Sequence, residues 1–395
     1  MRRLLLLVCA VVLADTVFYA ALVPLLPHYR EEFDLSKGGA GVLVAAYAVG
    51  VVVAAVPAGI AAARYGPKRA VIAGLVTMGL ASVAFGFAES ALTLGLARLV
   101  QGLGSALSWA GALAWLVAGT PRERRGELLG TAMGSAIFGA LLGPALGALA
   151  EAAGPRPVFL AVAGLAGGLA FWALRTPAVA AQRQPLRVLR RAVREPVIVA
   201  ALWLMVLPAL LLGVLAVLVP LELDGAGWSA TAIAAVFIGS AALEMIVAPL
   251  LGRFSDRRGR LLPLRMALTG SIAVTLALAL ADLPALVAVL VVVGAMAFAS
   301  YWAPAMALLA DGAERLAIAQ GLAFGLMNAA WGAGNSVGPA LGGALADAAG
   351  DALPYALMAV VCAATLAALT GGRAAFWHSQ DPSARQPLLD SRSIR

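Results

Sequence analysis

The sequence predicts an all-α integral membrane protein with twelve transmembrane helices in two pseudo-symmetric six-helix halves. Three observations predict it. Of 395 residues, 62% are hydrophobic and only 12% charged, whereas a soluble domain keeps about a quarter of its residues charged. Too few charges remain to cover a water-facing surface. The apolar residues fall into runs of the roughly 20 residues that a bilayer crossing needs. Motifs of the first half also recur in the second, in the same order.

The expected spans are 4–26, 39–62, 69–88, 92–118, 127–150, 157–174, 196–220, 229–251, 261–281, 284–309, 318–346 and 353–371. No A-x-A cleavage signature follows the first run and more spans come after it, so it reads as a retained helix. Between the sixth and seventh runs, Arg175–Glu195 carries Arg183, Arg187, Arg190, Arg191 and Arg194. The expected division is therefore an N-terminal half over 1–174, a cytoplasmic linker over 175–195, a C-terminal half over 196–371 and a polar cytoplasmic tail over 372–395.

Lys and Arg bias sets orientation. With the N-terminus in the cytoplasm, the outside loops hold only Arg30, Lys37 and Arg156; Arg98 lies inside a span, and the other basic residues fall on the inside. The expected location is the cytoplasmic membrane, multi-pass, with both termini cytoplasmic. This rule alone accounts for the linker arginines; anionic-lipid binding is the sharper alternative.

Several classes are excluded. Cys9 and Cys362 lie in apolar runs, and His28 and His378 are far apart, so neither a disulfide framework nor a metal site is expected. No phosphate-binding loop or H-E-x-x-H motif is present, which speaks against ATP drive and zinc-dependent catalysis. No cofactor is expected. The net charge of +8 lacks the interleaved aromatics of a nucleic-acid surface. The expected partners are a small-molecule substrate, protons and membrane lipid, and the expected state is a monomer.

The internal repeat is explicit. Span 5 carries Gly130, Gly139, Gly143-Pro144 and Gly147; span 11 carries Gly325, Gly334, Gly338-Pro339 and Gly342, each 195 positions further on. The loop after span 2 reads GIAAARYGPKR (Gly59, Arg64, Gly66) and the loop after span 8 reads GRFSDRRGR (Gly252, Asp256, Arg257, Gly259, Arg260). Parallel halves of this kind pack about an axis along the membrane normal, with a site between them near the midplane. Small residues let membrane helices approach closely, and Gly-Pro permits a bend. Tight packing and a bend that switches access both fit the glycines, and the two are compatible.

At these residues the chain resembles the major facilitator superfamily. GRFSDRRGR is similar to its signature loop, here in the helix 8–9 copy. The span 5 glycines resemble the motif of its twelve-helix drug:proton antiporters. LARLVQGLGSA, with Arg98 and Gly102, resembles its helix 4 motif. Asp15, Pro24 and Pro27 resemble helix 1 of vesicular amine transporters and tetracycline efflux proteins. Departures exist. Ala63 and Pro67 replace the loop's aspartate and arginine in the first copy, and Ala299 and Asn328 stand where vesicular amine transporters carry acids, which speaks against amine storage.

Three charged residues lie clearly within spans, away from their ends: Asp15, Arg98 and Glu244. Such residues face the interior or a water-filled cavity. Burial disfavours a charged carboxylate and a nearby cation favours it. A carboxyl held between those influences can exchange a proton as a cavity opens to either side. These three are the candidates for proton or cation coupling, with structural pairing as the alternative for each. Arg98 either pairs with Asp15 or polarises its neighbours. Phe18, Tyr19, Tyr47, Gln101, Trp109, Tyr301, Trp302, Asn328, Trp331 and Asn335 are the candidate cavity residues, with packing or interfacial anchoring as the alternative. An aromatic pocket with one carboxylate suits an amphipathic molecule, a cationic one included. The expected function is alternating-access export of a hydrophobic or cationic small molecule in exchange for protons. A proton-coupled or passive carrier of a neutral metabolite and a non-transporting membrane sensor stay open.

Overall fold

The computed structural model describes residues 2–120, 124–179, 187–258, 261–316, 318 and 320–370, with backbone alone at 125–127, 187–189, 248–249, 252–253, 255–258, 299, 303 and 320–321. Gly259, Arg260, part of the linker and the tail from 371 onward lie outside the described residues. Among the described residues every regular element is a helix. The first half holds α1 (Arg2–Ala20), α2 (Leu22–Glu32), α3 (Lys37–Tyr65), α4 (Pro67–Gly86), α5 (Ala91–Ala118), α6 (Arg125–Ala153) and α7 (Pro155–Arg175); the linker holds α8 (Arg187–Ala192). The second half holds α9 (Pro196–Gly225), α10 (Ala230–Arg258), α11 (Leu261–Ala279), α12 (Pro284–Ala299), α13 (Trp302–Arg315), α14 (Gln320–Ala349) and α15 (Ala352–Thr370). Ten stretches are long and apolar enough to cross a membrane, α1 and α2 counting as one. The pair α12–α13 and the glycine-rich α14 complete the twelve.

Two spans drawn as continuous, 4–26 and 284–309, are each broken. Ala21 N still donates to Val17 O at 3.0 Å, and the helix restarts at Leu22. Pro24 explains the break: it has no N–H for the carbonyl of Ala20, and its ring crowds that carbonyl. The second break, at Ser300 and Tyr301, likewise falls just before a proline, Pro304. There the bonds tighten to Ser300 N on Ala297 O at 3.2 Å and Tyr301 N on Phe298 O at 3.5 Å. The first span also runs further than expected, because α2 extends to Glu32.

The repeated glycines pack the two halves alike. A methyl group at Gly139 would sit 2.7 Å from the Leu13 carbonyl oxygen, and Gly143 and Gly147 face Ala20 and Ala21, so α6 lies directly against α1 and α2. In the second half Gly334 faces the Val206 carbonyl and Gly338 that of Leu210, so α14 lies against α9.

The halves meet along α3 and α14, which run antiparallel. Gly41 lies under the Pro339 carbonyl, Gly332 near Ala48 O and Gly343 under the Lys37 carbonyl. At the end of this seam away from the linker, Asp347 accepts from the backbone N of Lys37 at 2.9 Å and of Gly38 at 2.7 Å. Lys37 Nζ donates to Asp351 Oδ2 at 2.7 Å.

At the linker end, Gly66 adopts φ +93°, a left-handed turn that glycine takes without Cβ strain. It joins α3 to α4, with Pro67 as the first residue of α4. Arg64 is exposed over the Tyr65 ring at 5.6 Å. Lys68 ties this turn to the end of α7, donating to Leu174 O at 2.9 Å and Thr176 O at 2.8 Å. In the second copy Gly252, Asp256 and Arg257 belong to the last turns of α10.

Candidate functional site

One face of α5 builds the site. Arg98, Gln101, Ser105, Ser108 and Trp109 recur at three- and four-residue spacing, which stacks them along one side of a helix. Gly102 lets α5 meet α3, because a Cβ there would overlap the Tyr47 carbonyl oxygen. That contact brings Tyr47 across to Asp15 on α1.

Asp15 is 4% exposed. Its Oδ2 accepts three hydrogen bonds: from Trp109 Nε1 at 2.6 Å, Ser105 Oγ at 2.9 Å and Tyr47 OH at 3.1 Å. Its Oδ1 is buried and has no partner among the described residues. A buried carboxylate saturated on one oxygen and bare on the other is an acceptor for a proton or a cation. The donor set fixes its direction, and the bare oxygen marks where a ligand could bind.

Arg98, 1% exposed, makes no ion pair with Asp15. It caps the break in the first span instead. Nη1 donates to Phe18 O at 3.2 Å and to Gln101 Oε1 at 3.1 Å, and Nη2 donates to Tyr19 O at 3.3 Å. These carbonyls belong to the last turn of α1, where carbonyls lack helical partners and a cation is favoured. The guanidinium also lies over the Tyr47 ring at 4.7 Å. Gln101 continues the chain by donating to Ser82 Oγ on α4 at 3.2 Å.

Aromatic rings complete the surround. Tyr19 packs on Tyr47 with centroids 5.2 Å apart and on Trp331 at 5.0 Å. Tyr19 OH donates to Asn335 Oδ1 at 2.8 Å, a bond between the two halves. Asn335 Nδ2 in turn donates to Trp331 O at 3.3 Å.

The candidate residues therefore divide. Asp15, Arg98, Gln101, Tyr19, Tyr47, Trp109, Trp331 and Asn335 come together. Phe18 contributes its carbonyl, while its ring is buried in the apolar core. Tyr301 lies apart, its OH donating to Ser271 Oγ on α11 at 3.0 Å, and Trp302 packs against the same core. Asn328 is 8% exposed and makes no side-chain hydrogen bond among the described residues. Glu244, half-buried on α10, has no hydrogen-bond or ion-pair partner among them and no bond to the Asp15 cluster. Ser82, Ser105 and Ser108 were not expected at the site. For Ser105 and Ser108 the signal was available, since they fall seven and ten residues after Arg98 on its helical face.

Comparison with known proteins adds the following. The family model described as Major Facilitator Superfamily matches residues 7–324. An MFS-type transporter of Metarhizium rileyi is 32% identical over 122 residues, 30% of this chain and 25% of that one. A probable vesicular acetylcholine transporter of Danio rerio is 31% identical over 172 residues, 41% and 35%. A chloramphenicol resistance protein of Streptomyces lividans is 30% identical over 250 residues, 60% and 62%. The matched stretches thus cover from a quarter to about three-fifths of these relatives' lengths. Among solved structures, a D-xylose–proton symporter superposes with a TM-score of 0.73 at 15% identity, over 92% of this chain and 96% of that one. A partially occluded inward-open xylose transporter of E. coli gives 0.71 at 16%, with the same coverage. At such identities the likeness is one of fold.

Proposed function

The chain belongs to the Major Facilitator Superfamily, and we propose that it is a multi-pass transporter, not an enzyme, that exports a hydrophobic or cationic small molecule in exchange for protons. The observation that carries this reading is the buried Asp15, with three donors on Oδ2 and none on Oδ1, set among Tyr19, Tyr47, Trp109 and Trp331. A cation at the bare oxygen gains charge pairing and, from the ring faces, cation–π attraction. A proton at the same carboxyl removes the charge that holds such a cation. Proton and cargo therefore exclude one another there, which is the requirement for exchange.

Alternating access supplies the rest. Tyr19 and Asn335 join the halves beside the carboxylate, so opening one side must break or remake their bond. Substrate and proton then shift the balance only through different affinities for the two states. The names of two relatives, a chloramphenicol resistance protein and a vesicular acetylcholine transporter, support a drug-like or cationic cargo. In this reading the protein works as a monomer in the cytoplasmic membrane with both termini inside, and protons enter from outside.

The test is reconstitution in liposomes with an internal pH dye, with a panel of amphipathic cations, sugars and amino acids. Wild type and Asp15→Asn are run side by side. Cation-triggered proton flux in the wild type that is abolished in Asp15→Asn supports the reading. Flux that survives in Asp15→Asn, or flux evoked only by neutral sugars or amino acids, overturns it.

A further inference from the structure

A groove of about 570 Å³ lies on the linker side of the molecule, lined by Val56 of α3, Leu202 and Val206 of α9, Leu326 and Ala330 of α14, and Arg190 of α8. It is separate from the Asp15 site. Val56 lies nine residues beyond Tyr47 on α3, and Leu326 lies nine residues before Asn335 on α14. Nine residues are about 2.5 turns at 3.6 residues per turn, which places the groove on the opposite face of both helices. Those faces continue into the membrane-facing surface. Val53 on α3 is 61% exposed and Leu341 on α14 is 57% exposed.

We propose that this groove binds an anionic phospholipid, one acyl chain lying between α3, α9 and α14 and the phosphate against Arg190. Apart from the arginine, the walls named above are aliphatic, so they offer dispersion contacts to a chain and nothing to a polar solute. Charge marks the end where the headgroup lies. Arg190, Arg191 and Arg194 are all exposed around the linker helix, and each basic residue near a membrane surface adds attraction for anionic lipid. Depth agrees as well. Leu202 and Val206 lie six and ten residues along α9 from Pro196, hence roughly 9 and 15 Å from that end at 1.5 Å per residue. That is about the depth of one leaflet, half of a 30 Å hydrocarbon core.

The site also bridges the halves. Val56 belongs to the first, while α9 and α14 belong to the second. The linker is anchored to the first half through Lys68 on Thr176 O and Trp115 on Pro177 O. A lipid wedged there binds best to the arrangement in which α3, α14 and the linker sit as they do here. It therefore shifts the balance toward that arrangement. The inference concerns a lipid alone and is independent of what is transported.

The experiment is native mass spectrometry of the full chain from detergent, with added phosphatidylglycerol or phosphatidylcholine. The wild type, Arg190→Glu and Val206→Trp are compared, and thermal melting of each confirms folding. The expected result is a single phosphatidylglycerol retained in preference to phosphatidylcholine. Arg190→Glu should weaken its retention about fivefold or more, and Val206→Trp, which fills the groove, should remove it. Arg190 is exposed, so that variant keeps the test open if Val206→Trp misfolds. Equal retention of the two lipids, or phosphatidylglycerol retention unchanged in folded Arg190→Glu, overturns the proposal.

Discussion

Exchanging Arg98 for lysine or glutamine separates two roles that a buried cation could serve. If the positive charge acts on Asp15, Arg98→Lys should keep the function and Arg98→Gln should lose it. If the guanidinium acts as a fork that closes the end of α1, both should fail, because a lysine ammonium cannot reach two carbonyls and Gln101 in one plane. The structure favours the fork. All three bonds of Arg98 go to Phe18 O, Tyr19 O and Gln101 Oε1, and none to Asp15. Removing a hydrogen bond to a charged group costs about 1.5–3 kcal/mol. Losing two of the three therefore predicts a loss of roughly 3–6 kcal/mol for Arg98→Lys, before relaxation. For a membrane protein that aggregates on unfolding, the accessible quantity is a rate. The assay is the half-life of the folded, detergent-solubilised fraction at fixed temperature, followed by size-exclusion fluorescence, alongside liposome flux. Both variants should inactivate much faster than wild type and transport poorly. Wild-type half-life and flux in Arg98→Lys, with loss only in Arg98→Gln, would refute the fork.

Other expectations follow from single contacts. Tyr19→Phe removes the hydroxyl that bonds Asn335, worth about 1 kcal/mol; labelling of cysteines placed across the α3–α14 seam should speed up roughly fivefold, and unchanged labelling would detach this bond from the opening of the halves. Trp109→Phe takes the shortest donor from Asp15; it should shift the pH dependence of flux while leaving melting within a few degrees, and an unshifted profile contradicts a proton site at Asp15. Gly41→Val places carbon against the Pro339 carbonyl and should cost about 1–3 kcal/mol by overpacking, read as a shortened half-life. Lys37→Ala removes a partly exposed ion pair with Asp351, so its stability cost should stay below about 1 kcal/mol and fade with salt.

The bilayer made much of the fold legible. Spans must be apolar over a fixed length, and the glycine repeat can be counted residue by residue. The breaks were present in the sequence as Pro24 and Pro304, but reading them requires asking which carbonyl four residues earlier loses its donor. For Pro24 that carbonyl is that of Ala20; the Phe18 and Tyr19 carbonyls that Arg98 bonds are freed only because the helix restarts at Leu22. Ser105 and Ser108 were hidden because serine is common in membrane helices; only their register with Arg98 singles them out. Tyr301 falls outside the aromatic cluster because its face depends on the turn lost at Ser300. Whether Arg98 meets Asp15 or a backbone carbonyl depends on how α1 is rotated against α5, and no local pattern encodes that rotation.

The first span is thus held to α5 at two levels by chemically different means. At the break, Arg98 grips carbonyls whose acceptor strength no proton alters. About one turn earlier, Ser105, Trp109 and, from α3, Tyr47 grip a carboxylate, and their bonds are charge-assisted only while Asp15 is ionised. Neutralising Asp15, by a proton or by a bound cation that competes for its charge, weakens the second grip and spares the first. Both grips hold α1: the turn around Asp15 then gains freedom, while the last turn, at Phe18 and Tyr19, stays tethered through Arg98. Tyr19 belongs to the turn that Arg98 holds, packs on Tyr47 and carries the bond to Asn335, so a change at the carboxylate reaches the contact between the halves through Tyr47. Removing the break should give the Phe18 and Tyr19 carbonyls helical partners and so weaken the Arg98 grip with every donor on Asp15 intact. Pro24→Ala is the variant that restores the missing N–H for Ala20.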